Sequence, residues 1–220
     1  MGVKVPGVHL LRAGDFVLDI GAADGEYAQH YAKAVGPTGS VVAVEPYPVS
    51  VAQIRERCDE LGTVTVVAAA AGDHSTNTDL YPDIRHPKRS SLWRANVPVE
   101  RSEAVLVSVV TIDNVCECLG TPRLVKVDAQ GAEAAILRGA TKTLDAGCYW
   151  ALELWHDGLA AAGASVEDVI APFQQRGYTP TSLGGVATTW EAVAAEANQQ
   201  RGHAAMDILA MPPGAALCHP

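Results

Sequence analysis

Bulky side chains are scarce in this sequence. Of 220 residues, 2 are Phe and 3 are Met, and aromatic residues make up only 5% of the chain. Against them stand 36 Ala and 20 Gly. A core built mainly from Ala, Val, Leu and Ile needs elements that approach closely, as helices layered on a sheet do. Positive charge is also short: 16 Lys and Arg against 25 Asp and Glu give a formal net charge of −9. Binders of nucleic acid or anionic membrane neutralise phosphates with clustered cations, so neither partner is expected. No run is long and apolar enough to span a bilayer, and the first residues lack a signal-peptide core. The five cysteines (Cys58, Cys116, Cys118, Cys148, Cys218) are odd in number and lack C-x-x-C spacing. They read as reduced thiols of a soluble cytoplasmic protein. Function then has to reside in a local site.

Apolar runs alternate with helical patterns along the chain. Strands are expected at Phe16 to Ile20, Val41 to Val44, Val64 to Ala70, Val105 to Val110, Leu124 to Val127, Tyr149 to Leu154 and Met206 to Met211. Helices are expected at 25–35, 49–61, 113–119, 132–144, from Ser165 to near Gly177, and 190–200. Ser165 is the expected N-cap of its helix, with Glu167 and Asp168 suited to the positive helix start. This order describes a mainly parallel sheet with helices on both faces, in one domain spanning residues 1–220. Residues 73–104 break the rhythm. They are polar, carry Pro82, Pro87 and Pro98, and hold the cations Arg85, Lys88, Arg89, Arg94 and Arg101. A connection this long reads as a lid over a substrate.

The first strand runs into Asp19-Ile20-Gly21-Ala22-Ala23-Asp24-Gly25. A strand, a glycine turn and a helix in succession place a ligand at the carboxyl edge of a parallel sheet. Gly21 and Gly25 allow close approach to the main chain, and Asp19 can orient the loop or accept from a ligand ammonium. The pattern is not G-x-G-x-x-G: Ala23 takes the place of the second glycine, and Asp24 would repel a pyrophosphate. That weakens the competing reading, an NAD(P)-dependent oxidoreductase. Glu45 closes the second strand, where a carboxylate accepts both ribose hydroxyls. Loop and acid together describe a nucleoside ligand without phosphate, S-adenosylmethionine.

At this point the chain resembles a known family. D-I-G-A-A-D-G, V-A-V-E-P-Y-P, A-A-A-A-G-D and L-V-K-V-D-A-Q-G-A-E-A-A-I-L-R-G-A are similar, in order, to motifs of FkbM-type methyltransferases, from about residue 15 to 180. The family's usual loop carries Asn where this chain has Ala23. The resemblance implies an α/β class I methyltransferase fold, Rossmann-like, with seven strands of which the last, Met206 to Met211, is antiparallel. It implies S-adenosylmethionine bound by Asp19, Gly21, Ala22, Asp24 and Gly25 at the methionine end, Glu45 at the ribose, and Ala71 and Asp73 around the adenine. Asp128 joins that cofactor set.

A second acidic group follows. Asp128 ends one strand and Glu153 the next, with His156 three residues later. Adjacent strand ends deliver their side chains to one crevice. Methyl transfer to oxygen needs a base, a metal, or both, because an alcohol is a poor nucleophile until it loses its proton. In one reading Asp128 and Glu153 hold Mg²⁺ and His156 takes the proton; in the other there is no metal, and His156 or Asp128 acts alone. The family's sugar methyltransferases favour the first. Ser91 and Trp93 in the lid, and Trp155, are the expected acceptor contacts. The function expected is O-methyl transfer to a small-molecule or oligosaccharide acceptor, such as a polysaccharide of the methylmannose type. A noncatalytic cofactor-binding partner is the other alternative, and a homodimer is compatible with the chain.

Overall fold

A computed structural model describes residues 4–98, 100 and 102–215. Arg101 and Cys218 lie outside them. The strands are β1 (Phe16–Ile20), β2 (Ser40–Val44), β3 (Val64–Val67), β4 (Ala70–Ala71), β5 (Thr76–Leu80), β6 (Val105–Val110), β7 (Leu124–Val127), β8 (Tyr149–Leu154), β9 (Thr179–Ser182) and β10 (Met206–Met211). The helices are α1 (Glu26–Val35), α2 (Pro48–Cys58), α3 (Ile112–Glu117), α4 (Glu133–Arg138), α5 (Thr141–Asp145), α6 (His156–Ala161), α7 (Val166–Gln174) and α8 (Trp190–Ala197).

Seven strands form the central sheet in the order β3-β2-β1-β7-β8-β10-β9. Pairing is parallel from β3 to β8, and β10 runs antiparallel to both its neighbours. This is the expected doubly covered sheet with an antiparallel last strand. Alternate residues feed two cores. Leu18, Ile20, Val125, Val127, Trp150 and Leu152 pack with the later helices, whereas Val17, Val41, Ala43, Leu124 and Ala151 pack under α1 and α2. Burial on both faces explains why these strands read as continuous apolar runs. The chain leaves β1 for β2 on one side and reaches β7 on the other, so a crevice opens at their carboxyl ends.

Several elements depart from the sequence reading. The run 64–70 splits: β3 stays in the central sheet, while β4 joins a three-stranded sheet ordered β4-β6-β5. Within 73–104, β5 pairs antiparallel with β6, so the lid is shorter than expected. The expected helix 132–144 breaks into α4 and α5 at Gly139, where a Cβ would lie 2.2 Å from the Gly72 carbonyl oxygen. Three elements stand outside the sequence expectation: β5, α6 and the edge strand β9. The expected N-cap at Ser165 forms a capping box with Asp168. Cys58, Cys116, Cys118 and Cys148 are free thiols. No helix among the described residues is long and apolar enough to cross a membrane.

Candidate functional site

The crevice is built from backbone first. Gly21 leaves β1 with φ +72°, and a Cβ there would lie 1.8 Å from the Asp128 carbonyl oxygen. Only glycine lets the β1 and β7 loops meet this closely. Gly25 caps α1 with φ +79°, and its missing Cβ makes room for Ile54 of α2. Ala23 adopts φ +50°, a left-handed conformation that Asn tolerates far better than Ala. The cavity so formed is lined by Gly21, Ala22, Ala23 and Asp24 from the first loop and by Glu45, Ala71, Asp128 and Gln130. Ser91, Leu92 and Lys88 reach it from the segment after β5.

Glu45 is almost fully buried at the end of β2. Its Oε2 accepts from Ala23 N and its Oε1 from Tyr47 N, both at 2.9 Å. Each oxygen keeps a lone pair for a further donor in the cavity. Burial pushes its carboxyl up to about 7 despite the two backbone donors.

Beneath the loop lies a buried ion pair that the sequence reading missed. Lys126 Nζ sits 3.2 Å from Asp19 Oδ1 and donates to the Gly21 carbonyl at 2.8 Å. Burial raises the Asp19 carboxyl while the Lys126 ammonium opposes that rise. The Lys126 ammonium is held above its usual range by Asp19 and Asp128 against the cost of burial. Asp19 is wholly buried and does not line the cavity, so it orients the loop and leaves a ligand ammonium to other groups. A lysine inside the apolar run L-V-K-V was the signal available.

Asp128 and Glu153 come together as expected, in a recess they share with Tyr27, Lys126 and Asp207. Gln130 Nε2 donates to Asp128 Oδ1 at 2.9 Å and to Glu153 Oε2 at 2.8 Å. Burial first, then the Asp128 charge, pushes the Glu153 carboxyl well above the usual carboxylate range. Glu133, read as a helix-start charge, folds back to accept from Ala129 N and Gly131 N and fixes this loop.

His156 does not join them. It opens α6, lines neither cavity, and holds its Nδ1 2.7 Å from Asp157 Oδ1. The turn of helix after Trp155 pairs the ring with Asp157, outside the recess that Asp128 and Glu153 share. One oxygen each of Asp128 and Glu153, the pair expected to hold Mg²⁺, is taken by a hydrogen bond. An amide N–H donor stands between the two carboxylates, and no group of three or more His, Cys, Asp or Glu among the described residues could hold a metal ion.

The segment 81–98 forms a strap over the cavity. Tyr81 and Ser91 close its base by exchanging backbone hydrogen bonds. Lys88 Nζ reaches Asp24 Oδ1 at 3.1 Å and Glu26 Oε2 at 3.3 Å, and Arg57 pairs with the other oxygen of Asp24. Ser91 Oγ donates to the Gln130 carbonyl at 2.8 Å, and Asn96 Nδ2 donates to it at 3.1 Å. Trp93 packs half-buried on the core and lies outside the cavity lining. Trp155 is buried over Gly158 and lines a separate groove with Asn96 and His203. Asp73 also lies outside the cavity, paired with His74 and Arg138, while Ala71 lines it.

Comparison with known proteins agrees with this architecture. The solved FkbM methyltransferase of Methylobacillus flagellatus is 15% identical with a TM-score of 0.54, over 90% of this chain and 43% of that one. The chain thus spans under half the length of that relative. Fibrillarin of Aeropyrum pernix, solved with natively bound S-adenosyl-L-methionine, is 14% identical with a TM-score of 0.51, over 91% of this chain and 67% of the other. Precorrin-6y C5,15-methyltransferase of Geobacter metallireducens is 13% identical with a TM-score of 0.50, over 93% of this chain and 84% of the other. At these identities the likeness is one of fold. No match was found among curated proteins. The model of the methyltransferase FkbM domain matches residues 19–180, most of the chain, and the protein belongs to the FkbM methyltransferase family.

Proposed function

We propose that the protein is an S-adenosylmethionine-dependent O-methyltransferase acting on a hydroxyl of a sugar, glycan or glycosylated metabolite. The observation that carries the cofactor assignment is Glu45: a buried carboxylate at the end of β2, with one lone pair left on each oxygen, facing a cavity floored by Gly21. Those lone pairs suit the two ribose hydroxyls. Ala71 would flank the adenine, and the main chain from Gly21 to Ala23 would bracket the methionine end. When bound, the cofactor supplies an electrophilic methyl group on a sulfonium.

The chain's own part is acceptor activation. Asp128 Oδ1 is engaged by Gln130, which leaves Oδ2 to take the hydroxyl proton, with Lys126 Nζ 3.8 Å away to balance the charge. Glu153 and Asp207 stand opposite one another on β8 and β10 beside it. Carboxyl groups set in such a row accept hydrogen bonds from the neighbouring hydroxyls of a polyol, which favours a sugar over an isolated alcohol or an amine.

Two measurements test the reading. Calorimetry is expected to show S-adenosylhomocysteine binding, and a thermal shift should respond to it and not to NADH; no binding ends the proposal. Labelled methyl uptake across mono- and oligosaccharides is expected to be undiminished by EDTA, and loss with EDTA would restore the metal reading.

A further inference from the structure

Gln130 joins two parts of the site, the carboxylate pair of Asp128 and Glu153 and the strap over the cavity. Its backbone takes φ +52°, a conformation that a residue with a side chain keeps only where its surroundings fix it. The side chain uses both amide N–H groups, one on Asp128 Oδ1 and one on Glu153 Oε2. The carbonyl of the same residue accepts Ser91 Oγ and Asn96 Nδ2 from the strap. Asn96 Nδ2 also lies 3.1 Å from Ser91 Oγ, so the latch is a closed triangle of polar groups. Other groups face the carboxylate pair: Lys126 on β7, Asp207 on β10, Tyr27 on α1 and Glu133 on α4. Lys126 is the cation among them and addresses Asp128 Oδ2. Removing the Gln130 amide therefore frees Asp128 Oδ1 and lets the carboxylate swing toward Lys126.

We propose that Gln130 is a positioning residue that couples latching of the strap to the aim of the Asp128 carboxylate. The latch fixes the strained backbone from which the amide holds Asp128 and Glu153; in return, the amide fixes the carbonyl on which the strap closes. The catalytic consequence rests on the methyl-transfer reading above, whereas the coupling itself does not.

Limited trypsin digestion of the full chain, with and without S-adenosylhomocysteine, tests the coupling at Arg89 and Arg94, which lie within the strap. Ser91→Ala/Asn96→Ala is expected to speed the first cuts there about tenfold, because cleavage follows the open population. Gln130→Met keeps the latched carbonyl but lacks the amide, and is expected to speed the same cuts about threefold or more. A rate equal to that of the parent protein, beside a faster Ser91→Ala/Asn96→Ala, overturns the coupling. Should Gln130→Met fail to fold, Gln130→Glu serves in its place. At pH 8 its carboxylate donates no hydrogen bond and repels the Asp128 charge, and an unloosened strap again overturns the proposal. In methyl transfer, Gln130→Met is expected to lower kcat about tenfold or more while the Kd for S-adenosylhomocysteine stays within about threefold. A loss confined to Kd would refute positioning. Failure of the parent protein to bind S-adenosylhomocysteine would instead remove the functional reading and leave the digestion result standing.

Discussion

Lys126 Nζ lies 3.2 Å from Asp19 Oδ1 beneath the glycine loop, with both side chains closed off from solvent. The two residues are register partners on β1 and β7. The pair ties the two halves of the sheet together at the point where the crevice opens, and Lys126 also holds the Gly21 carbonyl. Removing one partner leaves a buried charge uncompensated. Lys126→Met is therefore expected to cost about 3–5 kcal/mol in urea unfolding. Asp19→Asn combined with Lys126→Met should recover part of that loss. Equal losses for the single and double variants would show that the charge of Asp19 is not what Lys126 compensates.

Glu45 and Glu133 give the fold a distinctive dependence on pH. Both carboxyls are pushed up to about 7 by burial, against an ordinary value of 4.5. A raised folded value means that the stabilising contribution is full below about 4.5 and is lost as pH rises through 7. The carboxyls of Asp24, Asp113 and Asp168 are held low and act only at more acidic pH. The unfolding free energy is thus expected to fall between pH 5 and 8, by up to about 3 kcal/mol for each of the two groups. Glu133→Gln should flatten the decline. Cofactor binding should move the opposite way: S-adenosylhomocysteine affinity is expected to rise from pH 6 to 8 as Glu45 ionises, and Glu45→Gln should abolish that slope.

Much of this site was legible because the strands that carry it are buried on both faces. β1, β2, β7 and β8 read as mainly apolar runs, and a charged residue within or just beyond each stands out for that reason. β9 did not stand out: Thr179-Pro180-Thr181-Ser182 is a polar edge strand with a proline, and β5 is equally polar. The break between α4 and α5 depends on the Gly72 carbonyl approaching Gly139, a contact between residues far apart in sequence. Three residues of separation suggest that His156 lies near Glu153, whereas the helix it begins pairs it with Asp157. Gln130 was visible only as a letter in a motif, since its bridging role depends on β7 and β8 being neighbours.

Ala23 marks a place where the sequence works against its own backbone. At φ +50° an alanine Cβ crowds the chain, a cost of about 1–2 kcal/mol. Ala23→Gly is expected to raise stability by about 1 kcal/mol once the greater freedom of glycine in the unfolded chain is set against the relief. For a chain of this size that corresponds to a rise in Tm of about 2–4 °C. Ala23→Asn should rise less, because its side chain tolerates the left-handed region without being free of strain. A drop in Tm for both would show that the loop relaxes in solution.

Asp128 and Glu153 lie side by side yet should respond differently to the same change of chemistry. Glu153 is kept protonated at neutral pH by burial and by the Asp128 charge, so Glu153→Gln replaces one neutral group with another. Methyl transfer is expected to stay within about threefold of the parent rate, since only the proton's position changes. Asp128→Asn removes the acceptor for the hydroxyl proton while keeping shape, and transfer should fall about 10²- to 10⁴-fold. S-adenosylhomocysteine binding, measured by calorimetry, should survive in both variants because Glu45 and the glycine loop are untouched. The reverse order of effects on rate would place the base on Glu153. It would also mean that the Gln130 amide serves to hold Asp128 away from the acceptor.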